Sequence, residues 1–340
     1  MEALPARTDV VVIGGGYAGC ATAWTLAQRG VACVVLEREA SLGRYASGRG
    51  AGLGRQLAES DATTALTVRG AELLRTTFRE SWHPTGGVLG FDDEATAAVY
   101  QARAARFGVP ARLIDRAAVL AAWPTLAGLP LAVGLEVPSD GAIDARRLLD
   151  RFAAGAPLAL GTRVERLEPG GAGAQVVTSR GVIEARIVVD AAGPWAGALT
   201  GDPPLAAFKR HLFVLEVAPQ PRAPFLWHLG ATELYVRDEA GGTLACACDA
   251  IPCSIEDPQV EPAGELRLRA VLGPAAPAWA DAPLRRQWAC MRAFTPDRTM
   301  RLGRDPDRPW LVWAAGLGGH GATAAGAVGE RVADAVLGAL

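Results

Sequence analysis

The stretch Asp9-Val10-Val11-Val12-Ile13-Gly14-Gly15-Gly16-Tyr17-Ala18-Gly19 decides how this chain is read. The apolar run Val10 to Ile13 predicts a strand buried on both faces, and the glycines after it keep GxGxxG spacing into a helix expected over 18–29. Gly14 suits a tight turn, Gly16 lets a pyrophosphate approach the backbone, and Gly19 lets the helix pack on the strand. The helix N-terminus at Tyr17 and Ala18 then faces the phosphate charge. The helix ends at Gln28-Arg29 with Gly30 beyond it, a second strand runs from Val31 to Leu36, and Glu37 stands at its end. A carboxylate there accepts hydrogen bonds from a ribose diol and repels a 2'-phosphate. The expected ligand is an adenine dinucleotide with a free ribose, FAD or NAD.

Composition sets the frame around that motif. The chain has 340 residues, 50% hydrophobic and 21% charged, which suits a globular protein with two intergrown cores. Its formal net charge of -2 offers no basic field to nucleic acid or anionic lipid. Residues 10–27 and 311–329 carry no Asp, Glu, Lys or Arg over nearly a membrane span, yet both are Gly-rich and repeat nucleotide-site patterns. They are read as buried α/β segments, and no membrane span is expected. With no basic stretch before the first apolar run, no signal peptide is expected, and the cytoplasm is the expected compartment. The six cysteines, Cys20, Cys33, Cys246, Cys248, Cys253 and Cys290, form no CxxC pair, so neither disulfides nor a metal site is expected.

Further along, Arg44 to Arg55 (RYASGRGAGLGR) is Gly-rich and basic, suiting a loop laid against an anion or cofactor. Helical spacing covers Ala65 to Phe78 and Glu94 to Phe107, and Pro124, Pro130 and Pro138 break the next stretch into turns. Asp144 caps a helix with Leu148, Leu149 and Phe152 on one face. A strand near Val164, a hairpin of Gln175 to Thr178 with Val182 to Ala185, and a buried strand Ile187 to Ala191 follow. Leu212 to Val217, Glu233 to Val236 and Thr243 to Cys248 read as β, and Trp288 to Phe294 as a mostly apolar strand. The tail returns to strand Trp310 to Ala315, turn Gly316 to Gly321, and a helix to Leu337. The expected fold is α/β (α+β overall). A discontinuous Rossmann-type nucleotide domain takes residues 1–60, 140–204 and 288–340, and an antiparallel-sheet substrate domain takes 61–139 and 205–287.

In one order the chain carries Gly14 to Gly19, Glu37-Arg38, Ala46-Ser47-Gly48-Arg49-Gly50-Ala51-Gly52, Val188 to Trp195, Thr295-Pro296-Asp297 and Gly316 to Gly321. Together these resemble the D-amino-acid oxidase superfamily of flavoproteins, which includes glycine oxidase, sarcosine oxidase and D-arginine dehydrogenase. The resemblance implies FAD. Glu37 and Arg38 would then serve the ribose end, and Ser47, Arg49, Gly50, Ala51 and Gly52 would form the loop along the cofactor. Val164 would lie by the adenine, Ala192 and Gly193 would let the dinucleotide pass close to the sheet, and Trp195 would be a further cofactor-binding residue. The turn Gly316, Gly318, Gly319, His320, Gly321 would aim its N–H groups at the flavin pyrimidine ring. His320 is either a turn residue or a group acting on the flavin.

The resemblance also implies hydride transfer from the carbon next to nitrogen to the flavin, leaving an imine that water hydrolyses. Arg292, three residues before Thr295, matches a substrate-binding Arg of relatives, and its planar fork suits a carboxylate. Tyr235 falls where relatives place a substrate-contacting Tyr; read alone, it is equally a half-buried strand residue. His211 is aligned with a second basic residue on the substrate side, a placement that a slip of one residue would reverse. Leu53, Arg55 and Ala58 stand where D-arginine dehydrogenase has polar and aromatic contacts. An apolar or anionic N-substituent therefore suits the pocket better than a basic side chain, with Arg55 or His211 available for a second carboxylate. The Lys that assists oxygen activation in sarcosine oxidase is missing from Thr243 to Cys248, so oxygen or another acceptor stays open. Cys290 matches the covalent flavin link of sarcosine oxidase, but Arg44-Tyr45-Ala46-Ser47 replaces that enzyme's His-rich loop, and noncovalent FAD is expected. The expected substrate is a small amino acid or secondary amine with a carboxylate, oxidised in the manner of glycine or sarcosine oxidase. A D-amino-acid dehydrogenase, a non-catalytic flavoprotein subunit and an NAD-dependent dehydrogenase are the alternatives, and the oligomeric state is open.

Overall fold

The computed structural model describes residues 3–171, 173–220 and 222–340. The strand Arg7–Ile13 pairs in parallel with Cys33–Leu36 on one side and with Gly181–Asp190 on the other. Leu158–Ala159 extends the sheet beyond Cys33–Leu36, and Leu311–Ala315 joins Gly181–Asp190 in parallel, with Arg301–Arg304 antiparallel at the edge. Alternation sorts the central strand between two layers. Val10 and Val12 pack with Ala23, Leu26, Val328 and Val332 of the helices Tyr17–Gln28 and Gly321–Leu337. Val11 and Ile13 face Val176 and Ile183 of the hairpin that covers the other side. The two helices approach closely because a Cβ at Gly329 would stand only 2.5 Å from the Ala21 carbonyl oxygen.

Gly181–Asp190 is one continuous strand, where the sequence suggested a hairpin arm and a separate buried strand. Its first half pairs antiparallel with Gly173–Thr178 and its second half joins the parallel core, so one strand serves both patterns. Asp144 caps Ala145–Ala153 through its carboxylate on the Arg147 N–H at 3.0 Å, as expected.

A nine-stranded sheet forms the second layer. Ala206–Leu215 lies at its heart, flanked along its whole length by Leu284–Phe294 and on the other side by Gly242–Cys246 and Ile251–Pro252. Leu234–Glu239, Phe225–His228, Gly87–Phe91, Val133–Val137 and Arg112–Asp115 follow in order. The sheet is antiparallel except where Phe225–His228 runs parallel to Gly87–Phe91. Gly87 and Gly90 hide that strand from an apolar pattern. A Cβ at Gly87 would stand 2.4 Å from the Phe225 ring, so the glycine makes room for its cross-strand partner. The prolines of the 124–138 stretch bracket a 3-10 turn, Pro124–Leu126, and the strand Val133–Val137 rather than turns alone. The helix Pro262–Ala275 covers the face opposite the cavity described below. Because Leu284–Phe294 pairs wholly within the second sheet, we propose that the boundary between the two units falls after Phe294 rather than at 287/288.

Candidate active site

At the C-terminal ends of the parallel strands, where open α/β sheets hold ligands, one cleft with two lobes runs between the sheets. The lobes share Gly16, Ala46, Ser47, Ala191, Gly193 and Pro194 and contain about 1160 and 1020 Å³ of non-protein space, open solvent included.

One lobe is built on the Gly14–Gly16 turn and the end of Cys33–Leu36. Gly14 turns the chain with φ 108°, and a Cβ there would stand 2.4 Å from the Ala191 carbonyl oxygen. Gly19 lines neither lobe and acts through packing, since a Cβ on it would meet the Gly14 carbonyl oxygen at 2.0 Å. Glu37 accepts the Gly15 N–H at 2.7 Å and the Glu39 N–H at 2.9 Å, which fixes its carboxylate at the strand end. The Arg38 guanidinium stacks on Trp195 at 3.8 Å and donates to the Tyr45 hydroxyl at 2.8 Å. With Val164, Ala192 and Gly193 these residues form the walls. Asp190 holds the wall's turn by accepting the Ala192 and Gly197 N–H groups at 3.1 and 2.9 Å.

At the waist, Ser47 Oγ accepts the Tyr17 N–H at 2.9 Å, and a Cβ at Gly16 would press on that oxygen at 3.1 Å. Helix Tyr17–Gln28 has no acid in its first turn, leaving its N-terminal amides and dipole to a phosphate. Tyr17 contributes backbone only, because its buried hydroxyl donates to the Ala145 carbonyl at 2.7 Å. Ala18, Gly50, Ala51 and Gly52 line the second lobe, but Arg49 lines neither. Its guanidinium is taken by Asp257 at 2.7 Å and by the carbonyls of Pro258 and Ala289, so it ties the loop to the second sheet.

The second lobe is closed by the turn before Gly321–Leu337. Gly316, Gly318 and Gly319 take φ of 74°, 56° and 96°, which only glycine adopts without strain. No acid lies in that helix's first turn, and no side chain caps it. The amides of the turn and the helix dipole therefore face the cavity. His320 Nε2 lies 3.0 Å from Glu59 Oε2. Burial, with the Arg55 and Arg292 charges, holds this imidazole below its ordinary value against the pull of Glu59. Burial alone would raise the Glu59 carboxyl, but Arg55 and His320 together hold it below the usual carboxylate range.

Arg292 lines this lobe beside the turn, its guanidinium 2.6 Å from where a Gly319 Cβ would stand. Among the described residues no side chain or carbonyl hydrogen-bonds or ion-pairs with it. Tyr235 lines the lobe and packs on Trp227 at 5.1 Å between ring centroids. His211 does not. It is fully buried on the opposite face, where Nδ1 meets Asp249 at 2.7 Å and Nε2 accepts the Glu261 N–H at 3.0 Å. The strand's alternation explains the correction: Phe208 and Arg210 face one way, Lys209 and His211 the other. Arg210 is the residue the sequence reading passed over, lining the lobe in place of its neighbour. Trp227 and Met291 were also missed, having no motif around them, and Ala58 is buried away from the cavity that Leu53 and Arg55 line. Cys290 lines the lobe too, but burial pushes its thiol up to about 11 despite Arg292 and Arg210.

A carboxylate at the second strand's end, a glycine cradle at a helix N-terminus and a second helix N-terminus at the far lobe fit FAD along the whole cleft. No helix among the described residues is long and apolar enough to cross a membrane. A family model described as DAO, FAD dependent oxidoreductase, matches residues 9–335. The chain is 32% identical over 365 residues to the tRNA 5-methylaminomethyl-2-thiouridine biosynthesis bifunctional protein MnmC of Thiobacillus denitrificans, covering 99% of this chain and only 58% of that protein. It is 27% identical to the glycine oxidase of Geobacillus kaustophilus, covering 97% of this chain and 93% of the relative. The solved L-proline dehydrogenase from P. horikoshii superposes with a TM-score of 0.89 at 26% identity, over 97% of this chain and 93% of that one. With the family model matched from the first strand into the last helix, the chain belongs to the DAO family of FAD-dependent oxidoreductases.

Proposed function

We propose that the protein oxidises a small amino acid or an N-substituted glycine. The observation that carries this reading is Arg292, a half-buried guanidinium with no partner among the described residues, set in an apolar strand beside the Gly316–Gly321 turn. A charged fork in such a place calls for an anion, and a carboxylate matches its two parallel donors. Bound FAD supplies the hydride acceptor. Arg292 holds the carboxylate and so fixes the orientation of the neighbouring C–H bond. Tyr235 and Trp227 wall the cavity and exclude water from the carbon that loses hydride. As hydride leaves that carbon, the nitrogen lone pair forms the C=N bond, and water then hydrolyses the imine to an oxo acid and the amine. His320, held neutral by its surroundings, donates Nε2–H to Glu59 and steadies the turn, so no strong base is required of it when the amine arrives uncharged. The names of the glycine oxidase and MnmC relatives support an aminomethyl or glycine-type substrate.

An acceptor other than oxygen is the second reading. The chain's one lysine, Lys209, points away from the cavity and pairs with Glu261, which leaves no lysine beside the flavin position. Anaerobic mixing with N-alkylglycines, glycine, D-Ala and D-Arg tests the substrate reading: N-alkylglycines are expected to bleach the flavin fastest, and a lead by D-Arg would refute it. Reoxidation of the bleached protein in air separates oxidase from dehydrogenase.

A further inference from the structure

The lobe around Arg292 holds more positive charge than one carboxylate needs. Arg55, Arg210 and Arg292 all line it, and no Asp or Glu does. Arg55 is 2% exposed and spends one nitrogen on Glu59, leaving Nε and Nη1 without a partner. Arg210 is 5% exposed and donates only to neutral carbonyls, those of Asp249 and Cys248, with Nη1 unpartnered. The indole N–H of Trp227, on which Arg55 stacks at 4.1 Å, is also buried and unpaired. Glu59 pairs with Arg55, and the carboxylates of Asp249 and Glu233 act on Arg210 from outside the lobe without hydrogen-bonding its guanidinium, so four buried N–H-bearing nitrogens stay open besides the Arg292 fork.

Sheet geometry brings these groups together. Arg292 is opposite Phe208 and Arg210 is opposite Cys290 in the pairing of Ala206–Leu215 with Leu284–Phe294. The two arginines are therefore diagonal neighbours on one face, with Cα atoms on the order of 7–8 Å apart. Trp227 and Tyr235, paired across strands, continue the same wall toward Arg55. The turn amides and dipole of helix Gly321–Leu337 would serve the negative charge that collects on a flavin ring when it is reduced, which would leave the arginines to the substrate. Buried guanidinium donors without partners are costly unless a ligand fills them.

We propose that the substrate is a dianion: an amine bearing two carboxylates, of which N-carboxymethylglycine (iminodiacetate) is the simplest N-substituted glycine. Arg292 takes the carboxylate next to the reacting carbon, Arg55 and the Trp227 N–H take the second, and Arg210 stands diagonal to Arg292. This rests on the oxidation reading for the reaction, but not for the binding.

The test is calorimetric titration of the flavin-loaded protein with non-oxidisable succinate and malonate against acetate, paired with anaerobic flavin reduction by iminodiacetate and sarcosine. Dicarboxylates are expected to bind tighter than acetate by about tenfold or more. Arg55→Met is expected to remove that preference, weakening dicarboxylates by at least about tenfold more than acetate. Because Arg55→Met also breaks the Glu59 ion pair, Arg55→Lys is measured beside it, with a partial loss confined to dicarboxylates expected. Equal binding of succinate and acetate, or parallel loss of both in Arg55→Met and Arg55→Lys, would overturn the proposal. Sarcosine matching iminodiacetate in flavin reduction without a dicarboxylate preference sinks the second-anion site and leaves the oxidation reading. A dicarboxylate preference without reduction by any amine does the reverse.

Discussion

Arg292→Ala removes two charge-assisted hydrogen bonds to the substrate carboxylate and leaves the fold's own hydrogen bonds and ion pairs intact, since no described residue pairs with this guanidinium. Each such bond contributes about 1.5–3 kcal/mol, and for a fork acting as a unit the loss is taken as about 3–4 kcal/mol. At about 1.4 kcal/mol per decade, kcat/KM for flavin reduction falls by about 150- to 1000-fold. Arg292→Lys keeps the charge but not the planar fork, and about a tenfold loss is expected. The assay is anaerobic stopped-flow reduction of the bound flavin over a range of substrate concentrations, with flavin content checked by the blue absorbance band. Both variants are expected to retain flavin, because Arg292 stands at the substrate side of the lobe. A kcat/KM for Arg292→Ala within about threefold of the parent would refute the carboxylate role, since even one charge-assisted bond contributes more than that.

Three further outcomes are expected. Glu37→Ala weakens FAD retention through gel filtration by about tenfold or more, by losing the ribose acceptor and freeing the Gly15 N–H, while unaltered retention would remove that role. Asp140 is fully buried, one carboxyl oxygen accepts the Gln56 N–H at 3.0 Å and its Nε2–H at 2.8 Å, and burial raises the group from 3.8 to about 7. A carboxyl raised in the fold stabilises below its unfolded value and loses that contribution as pH rises through about 7, so Asp140→Asn is expected to raise Tm at pH 8 but not at pH 4, by at most about 4 kcal/mol in stability; equal shifts at both pH values contradict it. Cys290, buried with its thiol pushed up to about 11, stays protonated at neutral pH, so acid precipitation releases all flavin from the parent and Cys290→Ser alike. Intact mass showing added flavin only in the parent would establish a covalent link.

The nucleotide half was legible because each residue type there answers a constraint stated in one dimension. The run Val10 to Ile13, the spacing of Gly14, Gly16 and Gly19, and Glu37 at a strand end are local demands of turn, close approach and hydrogen bonding. The substrate half depends on which face of a strand a residue occupies. Ala206–Leu215 is buried on both sides, so no polar alternation marks its cavity face, and nothing local separates His211 from Arg210, which lines the cavity. Arg49 and Arg55 lie six residues apart on either side of the short strand Leu53–Gly54, yet one pairs with Asp257 and the other turns inward onto Trp227. Only tertiary contacts from 225–228 and 257–258 separate those roles. Gly87–Phe91 escaped notice for a related reason: its glycines serve a partner far along the chain.

A carboxylate clamp beside bound FAD requires that a carboxylate-bearing amine reduce the flavin in this cleft. The most direct measurement is anaerobic titration of the flavin-loaded protein with iminodiacetate, following the blue absorbance band and the glyoxylate formed. Saturable bleaching with one glyoxylate per flavin reduced is expected, and it is lost in Arg292→Ala. A flavin that keeps its colour with iminodiacetate, sarcosine, glycine and D-Ala, or bleaching that is indifferent to Arg292, would contradict it.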